Sequence, residues 1–230
     1  MPPDIPPTPS RGAAEGGRTD RPEEAAGAQP AAGPAPAERP SRSDHPSALG
    51  LTRLTRVPVP PGGEALYRHI ARLVELGPEM EFLVVPGGQG MTALLLAEAT
   101  GAAGAGADPE PALVEESAAR VRAAGLADRV HFERAPLDDL PYRDAVFDVV
   151  VGGIGLAAEA DPMAVVRELV RVTRPLGTVV LVQLVWTGRV DAERRRELVD
   201  HLGVRPLLLV EWKQMLREAG VVELYVEDWS

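Results

Sequence analysis

The stretch EFLVVPGGQGMTALLLAEATGAAGAGADP, residues 81–109, constrains this chain more than any other. Phe82-Leu83-Val84-Val85 is a short apolar run without polar alternation, the pattern of a strand buried on both faces of a parallel sheet. Pro86-Gly87-Gly88-Gln89-Gly90 must end that strand, because proline and three glycines cannot propagate a ladder. Thr92 to Thr100 is rich in Ala and Leu, which favours helix. Gly106-Ala107 then leads to an acid, Asp108, at the tip of a second strand. A strand–glycine loop–helix–strand–acid unit lets a nucleoside cofactor lie across the strand ends, its ribose hydroxyls bonded to the carboxylate.

The chain continues to alternate strand and helix. Glu64 to Leu76 carries Leu66, Ile70, Leu73 and Val74 at helical spacing. A helix is expected from Pro109, a good first-turn residue, to Ala124, with Gly125 closing it. Further strands are expected at Arg129–Phe132, Val149–Val151, Thr178–Val185 and Val221–Val226. Helices are expected from Asp161-Pro162 and near Asp191–Leu202 and Glu211–Ala219. This order predicts an α/β fold: a doubly wound, mostly parallel sheet of six or seven strands, covered by helices on both faces.

Residues 1–50 stand apart as a Pro/Ala/Gly-rich tail holding about half of the 23 prolines and hardly any large apolar side chain. Such a segment cannot bury enough surface to offset its chain entropy, so disorder is expected there and a folded domain over residues 51–230. It lacks the apolar core of a secretory signal, and its acids argue against a transit peptide. No stretch is long and apolar enough to span a membrane. With no cysteine, disulfides, thiolate metal sites and a Cys nucleophile are excluded, which fits a cytoplasmic protein. A net charge of −10 argues against general nucleic-acid binding. The four histidines lack metal-ligand spacing, so no metal is expected.

Five stretches, in order, resemble the class I S-adenosylmethionine-dependent methyltransferases, in the branch acting on quinone precursors and other small molecules. They are VVPGGQG, GADPEP, RAAGLADRVHFERAPLDDLPYRDAVFDVVV, DPMAVVRELVRVTRPLGTVVL and EWKQMLREAGVVELYVED, covering residues 64–228 roughly. The resemblance implies a Rossmann-like fold, S-adenosylmethionine as cofactor and a small-molecule methyl acceptor. It implies cofactor contacts at Pro86, Gly87, Gly88, Gln89, Gly90, Asp108, Pro109, Pro136, Leu137 and Gly152. The family names no universal catalytic residue, so none is assigned.

The chain departs from the family's pattern at three places. Val84 stands where the glycine loop usually opens with an acid, and Pro86 where its first glycine falls. Ala135-Pro136-Leu137 replaces the G-D-A that usually meets adenine, with Asp138 and Asp139 as displaced substitutes. A single strand, Val221–Val226, follows the last helix where the family has a hairpin. That would leave an edge either covered by a second subunit, giving a homo-oligomer, or protected by Glu223 and Glu227.

Function therefore divides three ways: an active small-molecule methyltransferase, an inactive methyltransferase-fold binding or scaffold protein, or a nicotinamide-dependent oxidoreductase. The last rests on Gly88-Gln89-Gly90-Met91-Thr92-Ala93 as G-x-G-x-x-A. His69 reads as a surface residue, His131 as structural, and His201 as a residue near a helix end that interacts with the helix dipole. Tyr67 and Tyr142 read as packing residues or acceptor contacts. Trp186, just past the fifth strand, is placed to line an acceptor pocket.

Overall fold

The computed structural model describes residues 62–186, 188, 190–202 and 205–229. The tail of residues 1–50 lies outside the described residues, as does the side chain of His201. The described elements are α1 (Gly63–Leu73), β1 (Glu81–Val85), α2 (Met91–Thr100), β2 (Ala103–Asp108) and α3 (Pro111–Ala123). They continue with β3 (Val130–Arg134), β4 (Phe147–Gly152), α4 (Pro162–Val172), β5 (Thr173–Leu181), β6 (Val185–Trp186), α5 (Ala192–Leu202), β7 (Leu207–Leu208) and α6 (Leu209–Glu218).

β1 to β5 form one parallel sheet in the order β3-β2-β1-β4-β5. β1 lies at its centre, with Phe82 beside both Gly104 of β2 and Val149 of β4. Both faces are covered, which is why β1 is apolar throughout Phe82 to Val85. Phe82 and Val84 pack with α1, α2 and α3, while Leu83 and Val85 pack with α4 and Trp212 of α6. β2 reads Ala-Gly-Ala-Gly-Ala for a steric reason. A side chain at Gly104 would collide with the Phe82 ring, and one at Gly106 with the Phe132 ring.

The helices start where local chemistry allows. Asp161 caps α4, its Oδ1 accepting from the Ala164 N–H at 3.1 Å, and Pro162 follows at the first turn. α3 begins at Pro111, two residues after the start expected at Pro109, because Pro109 and Glu110 complete a turn around Asp108.

The sheet has five strands, near the six or seven expected, and two sequence readings change. β6 and β7 pair with each other in a separate two-stranded sheet, so the run expected over Thr178–Val185 breaks after Leu181. Val221–Val226 forms no strand. Val222 is 95% exposed, and among the described residues no element buries one face of the segment, which is what β propensity requires in practice. The segment is tied down by side chains instead. Glu227 accepts from Tyr225 Oη at 2.8 Å and from Trp229 Nε1 at 2.9 Å, and it pairs with His69 Nε2 at 2.8 Å. Glu227 thus ties residues 225–229 to α1 rather than protecting a sheet edge, and His69 is engaged rather than merely on the surface.

The long β3–β4 connection is fixed by one guanidinium. Arg171 Nε and Nη2 both donate to Glu168 at 2.7 Å, and Nη1 donates to Asp144 Oδ1 and to the Tyr142 carbonyl, each at 2.8 Å. Glu168 Oε2 also accepts from the Leu140 N–H at 2.9 Å. Donation from Arg171 holds the Glu168 carboxyl below its ordinary value of 4.5. A depressed carboxyl stabilises the fold above its unfolded pKa, and that contribution is lost as pH falls through the folded value. Arg171→Met is expected to cost about 1–3 kcal/mol at neutral pH, the range for bonds to charged groups, measured by urea unfolding. The difference from wild type should shrink below pH 4.5 as Glu168 protonates.

Candidate active site

The strand order places a topological switch between β1 and β4. From β1 the chain moves outward to β2 and β3, then returns to β4 on the opposite side. Open α/β sheets bind ligands at such a point, outside the carboxyl ends of the strands. Two glycine segments meet there. Pro86-Gly87-Gly88-Gln89-Gly90 follows β1, Gly152-Gly153 ends β4, and the Gly153 N–H donates to the Val85 carbonyl at 2.8 Å.

The glycine loop is held from several directions. Gly87 N–H donates to the Ala107 carbonyl at 2.7 Å, and Gly90 N–H to the Gly87 carbonyl at 3.1 Å. Arg120 of α3 donates from Nε to the Gln89 carbonyl at 2.8 Å. Asp108 provides the central anchor. Its Oδ2 accepts from the Gly88 N–H at 2.8 Å, and its Oδ1 from the Glu110 N–H at 2.9 Å. The carboxylate is buried, with the residue 2% exposed. Burial pushes its pKa up, and the two N–H donors pull it back.

The glycines differ in what they face. Gly90 has φ +80°, and a Cβ there would lie 2.7 Å from Ser117 Cβ. Gly88 has φ +54°, yet a Cβ there would meet nothing within 4 Å. Gly153 is similarly uncrowded, its nearest neighbours being Val85 and Pro86 atoms at 3.9 Å. Gly90 therefore serves the packing of the loop on α3, while Gly88 and Gly153 border open space. That space is lined by backbone, a surface a nucleoside cofactor can approach closely.

The other sequence-predicted residues fall on the same sheet edge. Pro109 follows Asp108, and Pro136 and Leu137 follow β3 directly, where the Ala135 N–H donates to the Asp108 carbonyl at 3.1 Å. Leu137 is buried in the core. Gly152 is too, since a Cβ there would meet Leu181, Leu156 and Leu169. Val84, at the position of the missing acid, is a core residue. Tyr67 is also core, 2% exposed, with its hydroxyl bonded to Thr92 and pushed up in pKa by burial. Tyr142 packs edge-on against Phe147 at the start of β4, and burial likewise raises its hydroxyl.

Three contributors were not foreseen. Ser117 and Arg120 back the glycine loop, and Gln183 Nε2 donates to the carbonyls of Gly153 at 2.6 Å and Gly152 at 3.2 Å. The only prior signal was the spacing of Ser117 and Arg120 on one face of α3. Two cavities lie further along this edge. The first, of about 400 Å³, is lined by Trp186, Arg195 and Arg205 among others. The second, of about 360 Å³, is lined by Ala157, Met163 and Met215 among others.

Residues 83–181 match the model of a methyltransferase domain. Those residues carry a methyltransferase domain, and the sheet they form is that of the Rossmann-like class I methyltransferases. Among curated relatives, the methyltransferase GfsG of Streptomyces halstedii is 33% identical over 58% of this chain and 48% of that protein. The 27-O-demethylrifamycin SV methyltransferase of Amycolatopsis mediterranei is 36% identical over 62% of this chain and 54% of that protein. The solved [4+2]-cyclase SpnF is 27% identical, with a TM-score of 0.61 over 68% of this chain and 57% of its own. The chain spans about half the length of the curated relatives it matches. The family's cofactor is S-adenosylmethionine, and the backbone-lined space at Gly88 and Gly153 fits a group of that kind.

The two glycine roles are separable. Gly90→Ala combines a left-handed backbone with a collision, and should cost about 2–4 kcal/mol of stability. Gly88→Ala should cost about 1 kcal/mol, because only the backbone term applies. Thermal unfolding of the two variants checks the order, and equal losses would contradict it.

Proposed function

We propose that this chain is an S-adenosylmethionine-dependent methyltransferase acting on a small molecule. One observation carries the reading: the uncrowded glycine segments at Gly88 and Gly153 flank the β1–β4 switch of a methyltransferase-family domain. The sulfonium cofactor, when bound, supplies an already activated methyl group.

The protein's part is then mainly alignment, since in-line displacement depends on holding donor and acceptor in register. Pro86, Gly87, Gly88, Gln89 and Gly90 would hold the cofactor through backbone groups, with Gly152-Gly153 opposite and Pro109, Pro136 and Leu137 at the adenosine side. Asp108 acts first as the loop's anchor. For it to bond the ribose as well, Gly88 would have to release one carboxylate oxygen or share it. Arg120 and Gln183 act one step back, fixing the carbonyls of Gln89, Gly152 and Gly153 so that the loop stays open. A general base is needed only if the acceptor must lose a proton. The second cavity, beside the end of β4, and the first, past the end of β5, are where an acceptor would lie.

Calorimetric titration with S-adenosylmethionine and S-adenosylhomocysteine, with NADH as control, tests this reading. Micromolar affinity for a sulfur cofactor is expected, abolished by Gly88→Val in a protein that remains folded by circular dichroism. Silence with all three would support a non-catalytic binding protein, and heat from NADH alone an oxidoreductase.

A further inference from the structure

The first cavity lies beyond the glycine loop and, Glu211 apart, is lined by residues outside the five family-like stretches. Its volume of about 400 Å³ is within the range of small-molecule sites. Its walls are the ring of Trp186, the side chains of Val199 and Leu207, and three guanidinium groups, Arg195, Arg196 and Arg205. Two acids, Asp200 and Glu211, also line it. Glu211 is engaged, because its Oε2 accepts from the Leu208 N–H at 2.7 Å.

Arg196 Nε donates to the Ala192 carbonyl at 3.3 Å, but the other two arginines keep unpaired donors. Arg205 has no carboxylate or hydrogen-bond partner among the described residues. Arg195 lies with its guanidinium carbon 5.6 Å from the centre of the Trp186 ring, within cation–π range, and its Nε is buried without a hydrogen-bond acceptor. A buried N–H donor costs free energy until it is paired, so a missing acceptor is the natural occupant. Three arginines against two acids, one of them bonded to a backbone N–H, leave the cavity net positive on a chain of net charge −10, which favours an anion there.

The cavity is also connected to the switch point. Gln183, bonded to the carbonyls of Gly152 and Gly153, is three residues before Trp186. Arg205, Leu207 and Glu211 are shared with the second cavity, which reaches Ala157 just past β4.

We infer that this cavity is an acceptor subsite for aromatic small molecules bearing a carboxylate or similar anionic group. The ring packs on Trp186 and the apolar wall, and the anion meets Arg205 and Arg195. The inference rests on the methyltransferase reading for its purpose, but not for its binding test.

The probe is 2-naphthoate, compared with its uncharged counterpart of the same shape, 2-naphthamide, by calorimetry on the full chain. Naphthoate should bind about tenfold or more tightly, the scale of hydrogen bonds to a charged group. Arg205→Met should abolish that preference, and Arg195→Met should reduce it. Quenching of tryptophan fluorescence by naphthoate should disappear in Trp186→Phe. Equal affinities for the two probes, or a preference that survives both arginine substitutions, would overturn the inference. S-adenosylhomocysteine is titrated into the same proteins. If it fails to bind wild type while naphthoate selectivity holds, the methyltransferase reading falls and the anion site stands. If it binds every variant and the selectivity is absent, only the anion site falls.

Discussion

A single buried carboxylate organises the switch-point edge of this domain. Asp108 stands at the end of β2 and binds two backbone N–H groups, one from the loop after β1 and one from the approach to α3. Those donors could otherwise be satisfied only by water, and a buried carboxylate without donors would not stay ionised. The pairing therefore fixes the glycine loop, the start of α3 and the tip of the central strands together. Ser117 and Arg120, carried on α3, then reach the loop from its other side. The open space at Gly88 is a consequence of that bracing.

The two ends of the sheet are built differently. At the end where the strands enter, charged side chains do the tying. Arg174 pairs with Asp148 at 2.6 Å and Glu81 at 3.0 Å, linking β5, β4 and β1, and Arg171 gathers the β3–β4 connection. At the end where the strands leave, backbone and amide groups predominate: Gly87, Gly88, Gly153 and the Gln183 amide. Exposed ion pairs tie one edge, while at the other Asp108 and Arg120 are turned onto backbone groups of the glycine loop, leaving small backbone surfaces that a ligand can approach. The cationic cavity past β5 is the exception, and it begins where the sheet ends.

Much of the fold was legible from local pattern. The apolar run Phe82–Val85, the glycine break, the Asp161-Pro162 helix start and the FDVVV strand each carry their signal within a few residues. The failures share a cause. Val221–Val226 has strand-like composition, but no strand or helix among the described residues covers it, and composition does not encode what lies alongside. The run from Thr178 breaks because Val185 and Trp186 find Leu207 and Leu208 rather than β4. For the site, Asp108 and the glycines were legible as a group. The contacts of Arg120, Ser117 and Gln183 join residues 27 to 31 positions apart or meet across a helix, and their partners are backbone atoms. A sequence shows which side chains can donate, but not which distant carbonyl will be in reach.

Ligand binding on backbone groups around the β1–β4 switch is tested most directly by amide chemical shifts, followed by NMR as S-adenosylhomocysteine is added. The largest shifts should fall on Gly87, Gly88, Gly90 and Gly153, with smaller ones at Glu110. Saturable shifts confined to α5 and α6, with the glycine amides unmoved, would contradict it.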